Sequence, residues 1–307
     1  MEFNQEPLVS IIIPCFDKTK DKYIPRCLDS IYDSHYPSFQ LQILIIEGLT
    51  AEEAKSEGLR QAKGEYIVFL DTDNEVEKFY LRDSIEHLQN YPEVFGVEST
   101  YCPTENSLNT FLTKELHISD PISLLITNEI RYVNKGWHNY CFFDNSTYAY
   151  PLGANGFVYR KKDLDRVEAH VDFEDTQIPL RLVKSGAFSW IQIPLGIKHH
   201  YVDNLWQFFL KRRRQTFHYL VKKEKGLNKI NWTMLRPRQP IWLAFLYCLT
   251  IIGPVMTTLF NLRRTKLWLW WTPCCLISAL GLVAGVTTFY FSKFLSIQET
   301  SLQPKRI

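Results

Sequence analysis

The spacing of apolar and polar positions changes several times along the chain. Leu8 to Ile13 is an apolar run rich in Val and Ile and stopped by Pro14. It reads as a buried strand with Pro14-Cys15-Phe16-Asp17 as the loop at its carboxyl end. Residues 21 to 34 take helical spacing, with Ile24, Cys27, Leu28 and Ile31 on one face. Leu41 to Ile46 is a second apolar run, ended by Glu47-Gly48, and a helix is expected over Ala51 to Ala62. Tyr66 to Leu70 gives five apolar residues in a row, aromatic and β-branched types prominent, and stops abruptly in Asp71, Thr72 and Asp73. A helix over Leu81 to Asn90 and a strand over Val94 to Ser99 follow. This alternation predicts an α/β fold with a mostly parallel, doubly wound sheet.

Residues 100 to 150 mix polar turns, short apolar pieces and many aromatics, as a variable region covering a substrate would. Gly153 to Arg160 reads as a glycine-flanked turn running into a strand, followed by a helix start near Lys162. Thr176 to Lys184 is expected to be helical despite Pro179, with Gly186 as its cap, and Trp190 to Ile193 to be a short strand before His199-His200. Leu205 to Val221 predicts an amphipathic helix, with Trp206, Phe209, Leu210, Phe217 and Leu220 on one side and Lys211 to Arg214 at its centre. Two uncharged segments close the chain. Ile241 to Phe260 is 20 residues long, about 30 Å as a helix and so the thickness of a bilayer core. Leu267 to Phe291 is longer. Gly253-Pro254 falls where a kink would form, and Trp242, Trp268, Trp270 and Trp271 sit near segment ends as interfacial anchors do. The expected division is a catalytic domain over 1–204, a basic membrane-interface segment over 205–238, and a transmembrane hairpin over 239–307. A hairpin that only dips into the bilayer stays open.

Charge and cysteine content sharpen this picture. The chain of 307 residues carries a formal net charge of +2, yet ten Lys or Arg and one acid lie between Lys211 and Arg238. A basic stretch beside membrane segments suits anionic lipid headgroups, and no stretch resembles a nucleic-acid-binding motif. Seven cysteines form no Cys-x-x-Cys pair, which points to free thiols in a reducing compartment. The first ten residues lack the features of a signal peptide. Positive charge flanking the hairpin predicts a multi-pass membrane protein with its catalytic domain in the cytoplasm.

A strand that delivers Asp71 and Asp73 at its carboxyl end puts two carboxylates where open α/β sheets bind ligands. Hard oxygen ligands suit Mg2+ or Mn2+. The pair Glu174-Asp175 precedes a predicted helix, where acids also serve as caps. His199 and His200 end a short strand; one of them could reach a metal or a diphosphate. Cys15 reads as packing rather than as a nucleophile.

Four pieces in order resemble the family 2 glycosyltransferases, inverting enzymes of the GT-A fold: Val9 to Phe16, Gly64 to Asp73, Gly153 to Arg160, and Glu174-Asp175 followed by Leu180-Arg181-Leu182 and Gly186. The match covers residues 8 to 186, and the basic stretch with two carboxy-terminal membrane segments occurs in membrane-bound members. The resemblance implies a nucleotide-sugar donor, a lipid-linked or glycan acceptor, Mn2+ or Mg2+ as cofactor, and contacts with membrane lipids. A homo-oligomer is an open possibility.

By the same resemblance Asp73 holds the metal, with Asp71 on the ribose or the metal's water, and His200 is a further candidate ligand. Pro14, Phe16, Asn155 and Gly156 line the donor site, and one of Arg212, Arg213 and Arg214 is placed to clamp the diphosphate, since a guanidinium pairs with phosphate bidentately. Asp175, with Glu174 beside it, is the candidate base for an alcohol acceptor, or orients an acceptor phosphate that needs no base. Two departures stand out. Glu47-Gly48-Leu49 replaces the usual Asp-Gly-Ser at the base-binding position. The Gln-x-x-Arg-Trp motif of processive synthases is missing. A degenerate domain that binds nucleotide or glycan and anchors a partner is the alternative, and a hairpin acting as an assembly or transport accessory is a third.

Overall fold

The structure is a computed structural model that describes residues 6–19, 21–116, 120–126, 132–135, 138–142, 155–175, 177–186, 189–226 and 239–302. Gly153, Ala154, Thr176, residues 227–238 of the basic stretch and much of 100–150 lie outside them.

The chain divides into two compact units, Met1–Thr104 with Glu129–His200, and Glu105–Asn128 with Tyr201–Ile307. The first opens with strand β1 (Val9–Cys15), helix α1 (Ile24–Tyr32), β2 (Leu41–Glu47), α2 (Ala51–Gln61) and β3 (Tyr66–Phe69). It continues with β4 (Asn74–Val76), α3 (Tyr80–Asn90) and β5 (Gly96–Tyr101). The short helices α4 (Ser107–Thr110) and α5 (Pro121–Ile126) belong to the second unit. The first unit resumes with β6 (Tyr132–Lys135), β7 (His138–Phe142), β8 (Phe157–Arg160), α6 (Lys161–Arg166), α7 (Gln177–Lys184) and β9 (Ser189–His199).

These strands form one sheet in the order β2-β1-β3-β8-β5-β9-β7-β6, with β4 paired to β9. Strands β2, β1 and β3 are mutually parallel, and so are β5 and β9. Strand β8 runs antiparallel to both β3 and β5. The sheet is therefore mixed, which corrects the expectation of a mostly parallel one. The parallel reading holds where helices connect successive strands and fails where β8 returns between β3 and β5. The core is the pleat of Ile11, Ile12, Ile67, Val68, Phe69, Val97, Val158 and Ile191, all fully buried. Pro14 is tolerated in a strand with two neighbours because the ladder toward β3 has ended. Ile12 accepts the last such bond, from Leu70 N–H at 3.1 Å, and Pro14 faces the same side two residues later.

Strand β9 runs well past the expected end at Ile193. The register slips between Ser99 and Thr100, so Ser99 faces Ile193 while Thr100 faces Gly196. The bulge takes up Pro194, which cannot donate to a ladder. Gly196 then passes so close that a Cβ would lie 1.5 Å from the Thr100 carbonyl oxygen. Crossing the bulge carries the strand on to His199.

The second unit contains α8 (Leu205–Glu224), α9 (Ile241–Leu249), α10 (Ile252–Asn261) and α11 (Trp271–Leu302). Its α8 packs along α11, where a Cβ on Gly281 would meet the Arg212 Cβ at 2.6 Å and one on Gly285 the Thr216 Cβ at 2.6 Å. Close backbone approach through glycines four apart explains why the fully buried aromatic of α8 is Phe208, while Trp206 stays exposed. The expected single helix over Ile241 to Phe260 is instead α9 and α10, bent by 84°. Pro254 has no N–H and its ring clashes with the carbonyl four residues back, Thr250, where the break falls. Neither piece reaches the roughly 30 Å of a bilayer core alone, at about 1.5 Å per residue. Lys266–Leu295 is long and apolar enough to cross a membrane, with a mean hydropathy of 1.9 in its best window. The two-span hairpin is thus reduced to one candidate span and one bent pair.

Candidate active site

The site is built at the carboxyl end of β3. After Leu70 the chain turns tightly, Asn74 N–H donating to the Asp71 carbonyl at 3.1 Å. Asn155 pins this turn: its Oδ1 accepts from Asp71 N–H at 3.1 Å and from Asn74 Nδ2 at 2.6 Å. Gly156 follows with φ +71, and a Cβ there would lie 2.6 Å from the Ser99 hydroxyl oxygen. Only glycine combines that dihedral with that closeness. Its N–H donates to the Phe69 carbonyl at 2.7 Å, and its carbonyl accepts from the Tyr80 hydroxyl. Thr72 Oγ1 donates to Asp21 at 2.6 Å. The Asp71-Thr72-Asp73 turn is therefore fixed from three sides.

Strand β4 pairs antiparallel with the end of β9, Asn74 opposite His199. This register brings His199 Nε2 to 3.5 Å from Asp73 Oδ1. His199 is buried, with its ring tilted against Tyr101 at 5.5 Å. His200 points elsewhere. Its Nε2 lies 2.6 Å from Glu75 Oε1 and its ring stacks on Tyr23. The histidine beside the metal-candidate acid is His199 rather than the expected His200, since neighbours on a strand face opposite sides.

The second acid station stands on α2. Lys55 is 1% exposed, and its Nζ lies 2.9 Å from Asp175 Oδ1 and 3.3 Å from Asp71 Oδ1. Helix α2 also anchors the approach to Asp175, since Phe173 N–H donates to Ser56 Oγ at 3.1 Å. Arg181 holds the same segment through the Asp172 carbonyl at 2.7 Å. Burial pulls the Lys55 ammonium down, but Asp175 and Asp71 overturn that and hold it protonated above the usual lysine range. Withdrawal from water pushes the Asp175 carboxyl up, Lys55 opposes that, and Asp71 adds to it. The Asp175 side chain keeps 40% of its surface open, so solvent moderates the rise.

Glu174 is set apart from Asp175. Its backbone carbonyl accepts from Gln177 and Ile178 N–H at 2.9 and 3.2 Å, and its carboxylate from Gln177 Nε2 at 2.7 Å. It closes the start of α7, the capping role open to such acids. Tyr159 is fully buried, and Arg160 Nη2 donates to the carbonyls of Leu88 and of Tyr91, the latter at 3.0 Å. Pro14 and Glu47 stand at the ends of β1 and β2, Cys15 in register with Glu47, and Phe16 is 86% exposed just beyond.

In the second unit Arg212 Nη2 lies 3.2 Å from Asp120 Oδ2, a carboxylate that is 1% exposed, and Arg212 Nη1 donates to Gln215 at 2.8 Å. Arg213 Nε donates to Thr288 Oγ1 at 3.2 Å. Arg214 is exposed. Arg212 is thus paired with a buried acid.

Among the described residues no three His, Cys, Asp or Glu side chains converge as a ready metal cage. Asp73 with His199 offers one carboxylate and one imidazole, a donor set that suits Mn2+ better than the all-oxygen Mg2+ when substrate phosphates complete the shell. The residues fit such an ion in part, as one edge of its coordination. Asp71 is held by Lys55 instead.

The known proteins most informative here are these. The family model described as Glycosyl transferase family 2 matches residues 46–146, from the end of β2 through the Asp71-Thr72-Asp73 turn. A dolichyl N-acetyl-α-D-glucosaminyl phosphate 3-β-D-2,3-diacetamido-2,3-dideoxy-β-D-glucuronosyltransferase of Methanococcus voltae is 23% identical over 261 residues, 73% of this chain and 76% of its own. The chain is a glycosyltransferase. Among solved structures, a mannosyltransferase from Pyrobaculum calidifontis in complex with GDP-Man and Mn2+ matches 94% of this glycosyltransferase and 89% of its own chain. That match has a TM-score of 0.51 at 15% identity, a likeness of fold. The matches support family 2 and the GT-A-like α/β fold.

Lys55 is the site residue that the motif-by-motif reading missed. Ala51, Ala54, Lys55, Gly58, Leu59 and Ala62 fall on one helical stripe, and a lysine on the core stripe signals a buried partner.

Proposed function

We propose that the chain is a membrane-associated, inverting family 2 glycosyltransferase that moves a sugar from a nucleotide diphosphate donor to a lipid-linked acceptor. The observation that carries the proposal is the convergence of Asp71, at the end of β3, and Asp175, at the start of α7, on the single Lys55 ammonium. The donor-side turn and the candidate base thereby meet at one ammonium. Asp73 and His199 would hold a divalent ion. Bound there, the ion supplies charge neutralisation for the departing diphosphate.

The remaining chemistry belongs to the chain's own residues. Asn155 holds the Asp71 backbone N–H, Gly156 the Phe69 carbonyl at the end of the strand before it, and the His200 N–H the Asp73 carbonyl. Pro14, Phe16 and Glu47 frame the nucleotide side. Glu47 can accept a hydrogen bond from the base, as the shorter Asp does in relatives. Arg214 remains the candidate for the diphosphate, because Arg212 and Arg213 have partners of their own. Inversion is one in-line displacement at the anomeric carbon. Asp175 takes the proton of an attacking hydroxyl, a step worth roughly 10²–10⁴-fold. With a phosphate acceptor, already ionised, it orients the acceptor instead.

The name of the Methanococcus relative supports a dolichyl-phosphate-linked acceptor, and that of the Pyrobaculum neighbour supports a nucleotide sugar with Mn2+. Lys266–Leu295 and the bent pair α9–α10 support membrane association. The test is thermal stability of the detergent-held full chain against nucleotide sugars, GDP-mannose and UDP-N-acetylglucosamine among them, with and without Mn2+. Native-state binding at 100 times Kd stabilises by about 2.7 kcal/mol. A Mn2+-dependent rise that vanishes in Asp73→Asn is expected. No rise with any donor would move the reading to a degenerate, nucleotide-independent anchor.

A further inference from the structure

Buried charge is expensive, and a lysine at 1% exposure is retained only with carboxylates to balance it. Lys55 has two, from segments far apart in sequence. Asp71 ends β3 and belongs to the donor-side turn, while Asp175 precedes α7 and carries the acid proposed to meet the acceptor. The ammonium makes two contacts with Asp175, at 2.9 and 3.2 Å, and one with Asp71, at 3.3 Å. The Phe173 ring lies 5.8 Å from the same nitrogen. Glu52, one helical turn earlier on α2, adds a further negative field at Asp175. The lysine stem is fixed by helix α2, whose start is closed by a Thr50–Glu53 capping box. An ammonium on a capped helix is a rigid post, and both carboxylates hang from it.

We propose that Lys55 is a positioning residue of the transfer reaction: its ammonium sets the separation between the donor-side Asp71 and the acceptor-side Asp175. The proposal rests on the assignment of Asp175 to the acceptor. It assigns the two halves of the Asp71-Thr72-Asp73 turn different cations. Asp73 faces His199 and the divalent ion; Asp71 faces the chain's own ammonium. Without Lys55, Asp71 and Asp175 confront each other directly, with Glu52 behind, and repulsion turns them apart. The acid then stands off line from the attacking hydroxyl. Misplacement of about 1 Å can cost on the order of 100-fold in rate.

The experiment compares the full chain with Lys55→Met, Lys55→Gln, Asp175→Asn and Lys55→Met/Asp175→Asn. Sugar transfer is followed from the donor that stabilises the protein to dolichyl phosphate and to dolichyl-phosphate-linked N-acetylglucosamine. Lys55→Met is expected to lower kcat about 100-fold while KM for the donor changes less than about threefold. The double variant is expected to be no slower than Asp175→Asn alone, because both changes disable one unit. Lys55→Gln keeps a hydrogen-bond donor and provides a folded variant if Lys55→Met misfolds; it is expected to be slowed in kcat as well. Full kcat in a folded Lys55 variant would overturn the proposal, as would losses that multiply in the double variant. Should Asp175→Asn itself keep full rate, the reading of Asp175 falls. Should Asp175→Asn lose activity while Lys55→Met keeps it, the role of Lys55 alone falls.

Discussion

Two acid stations stand in the first unit, and their neighbours make them different. Asp73 stands on a backbone turn pinned by Asn155, with the His199 imidazole 3.5 Å away. Asp175 stands on side-chain contacts, with a permanent ammonium at 2.9 Å. In the proposed function the first takes up a divalent ion together with the diphosphate donor. The second already has a counter-charge in Lys55, which opposes the upward push that burial exerts on its carboxyl. Residue type alone would make the two interchangeable; an imidazole beside one and an ammonium beside the other set them apart.

The largest effect is expected at the ammonium station. Asp175→Asn should lower kcat/KM for a hydroxyl acceptor by roughly 10³-fold or more, within the range of general base catalysis. Glu174→Gln should cost only a few-fold, since Glu174 closes α7 and its carboxylate already accepts from Gln177. Steady-state transfer assays on both variants decide it. Equal losses would erase the distinction between capping and catalytic acid. The contrast also bears on the acceptor: a phosphate acceptor would shrink the Asp175→Asn effect, because no proton has to leave.

A middle-sized effect separates the two histidines. His199→Ala should weaken Mn2+-dependent donor binding by roughly 10–100-fold, as loss of a metal-site neighbour does. His200→Ala should leave the Mn2+ requirement unchanged, since its Nε2 is taken by Glu75 at 2.6 Å. Titration of donor-induced stabilisation against Mn2+ reads both. The reverse ranking would put the ion on the outer side of β9 and sink the assignment of Asp73 with His199.

Much of this fold was legible in the sequence where local signals agree with tertiary demand. Val9–Cys15 and Tyr66–Phe69 are buried on both faces, so they read as unbroken apolar runs, and the half-buried edge strand Leu41–Glu47 carries a similar run. The acids at the end of the third run were visible for the same reason. What stayed hidden depends on register. Pro194 and Gly196 read as strand breakers, yet the slip at Ser99 and Thr100 absorbs them and carries β9 on to His199. The polar strand Asn74–Val76 has no pattern of its own and exists only as a partner of β9. Hence the choice of His199 over His200 could not be made from spacing. Lys55 was written into the stripe of α2 but is meaningful only beside Asp175, 120 residues away. The break before α10 was half legible, since Pro254 marked the place but not the 84° bend.

The smallest effect tests whether the Asp73 station is as rigid as its backbone contacts imply. Asn155 accepts from Asp71 N–H and from the side chain of Asn74, which is 1% exposed. Asn155→Ala leaves a buried amide and a backbone N–H short of a partner, at a cost of about 1–3 kcal/mol. Thermal melting should report that loss. The turn is still tied through Thr72 to Asp21 and through His200 N–H to the Asp73 carbonyl at 2.8 Å. Transfer should therefore fall by only about tenfold, equivalent to about 1.4 kcal/mol, with the loss appearing in donor KM rather than in kcat. Asp175 does not depend on this turn's backbone for its place; Lys55 and Phe173 hold it. A fall in kcat with unchanged KM would instead mean that the two stations are mechanically coupled through Asp71, and that the Lys55 post is less rigid than its burial implies.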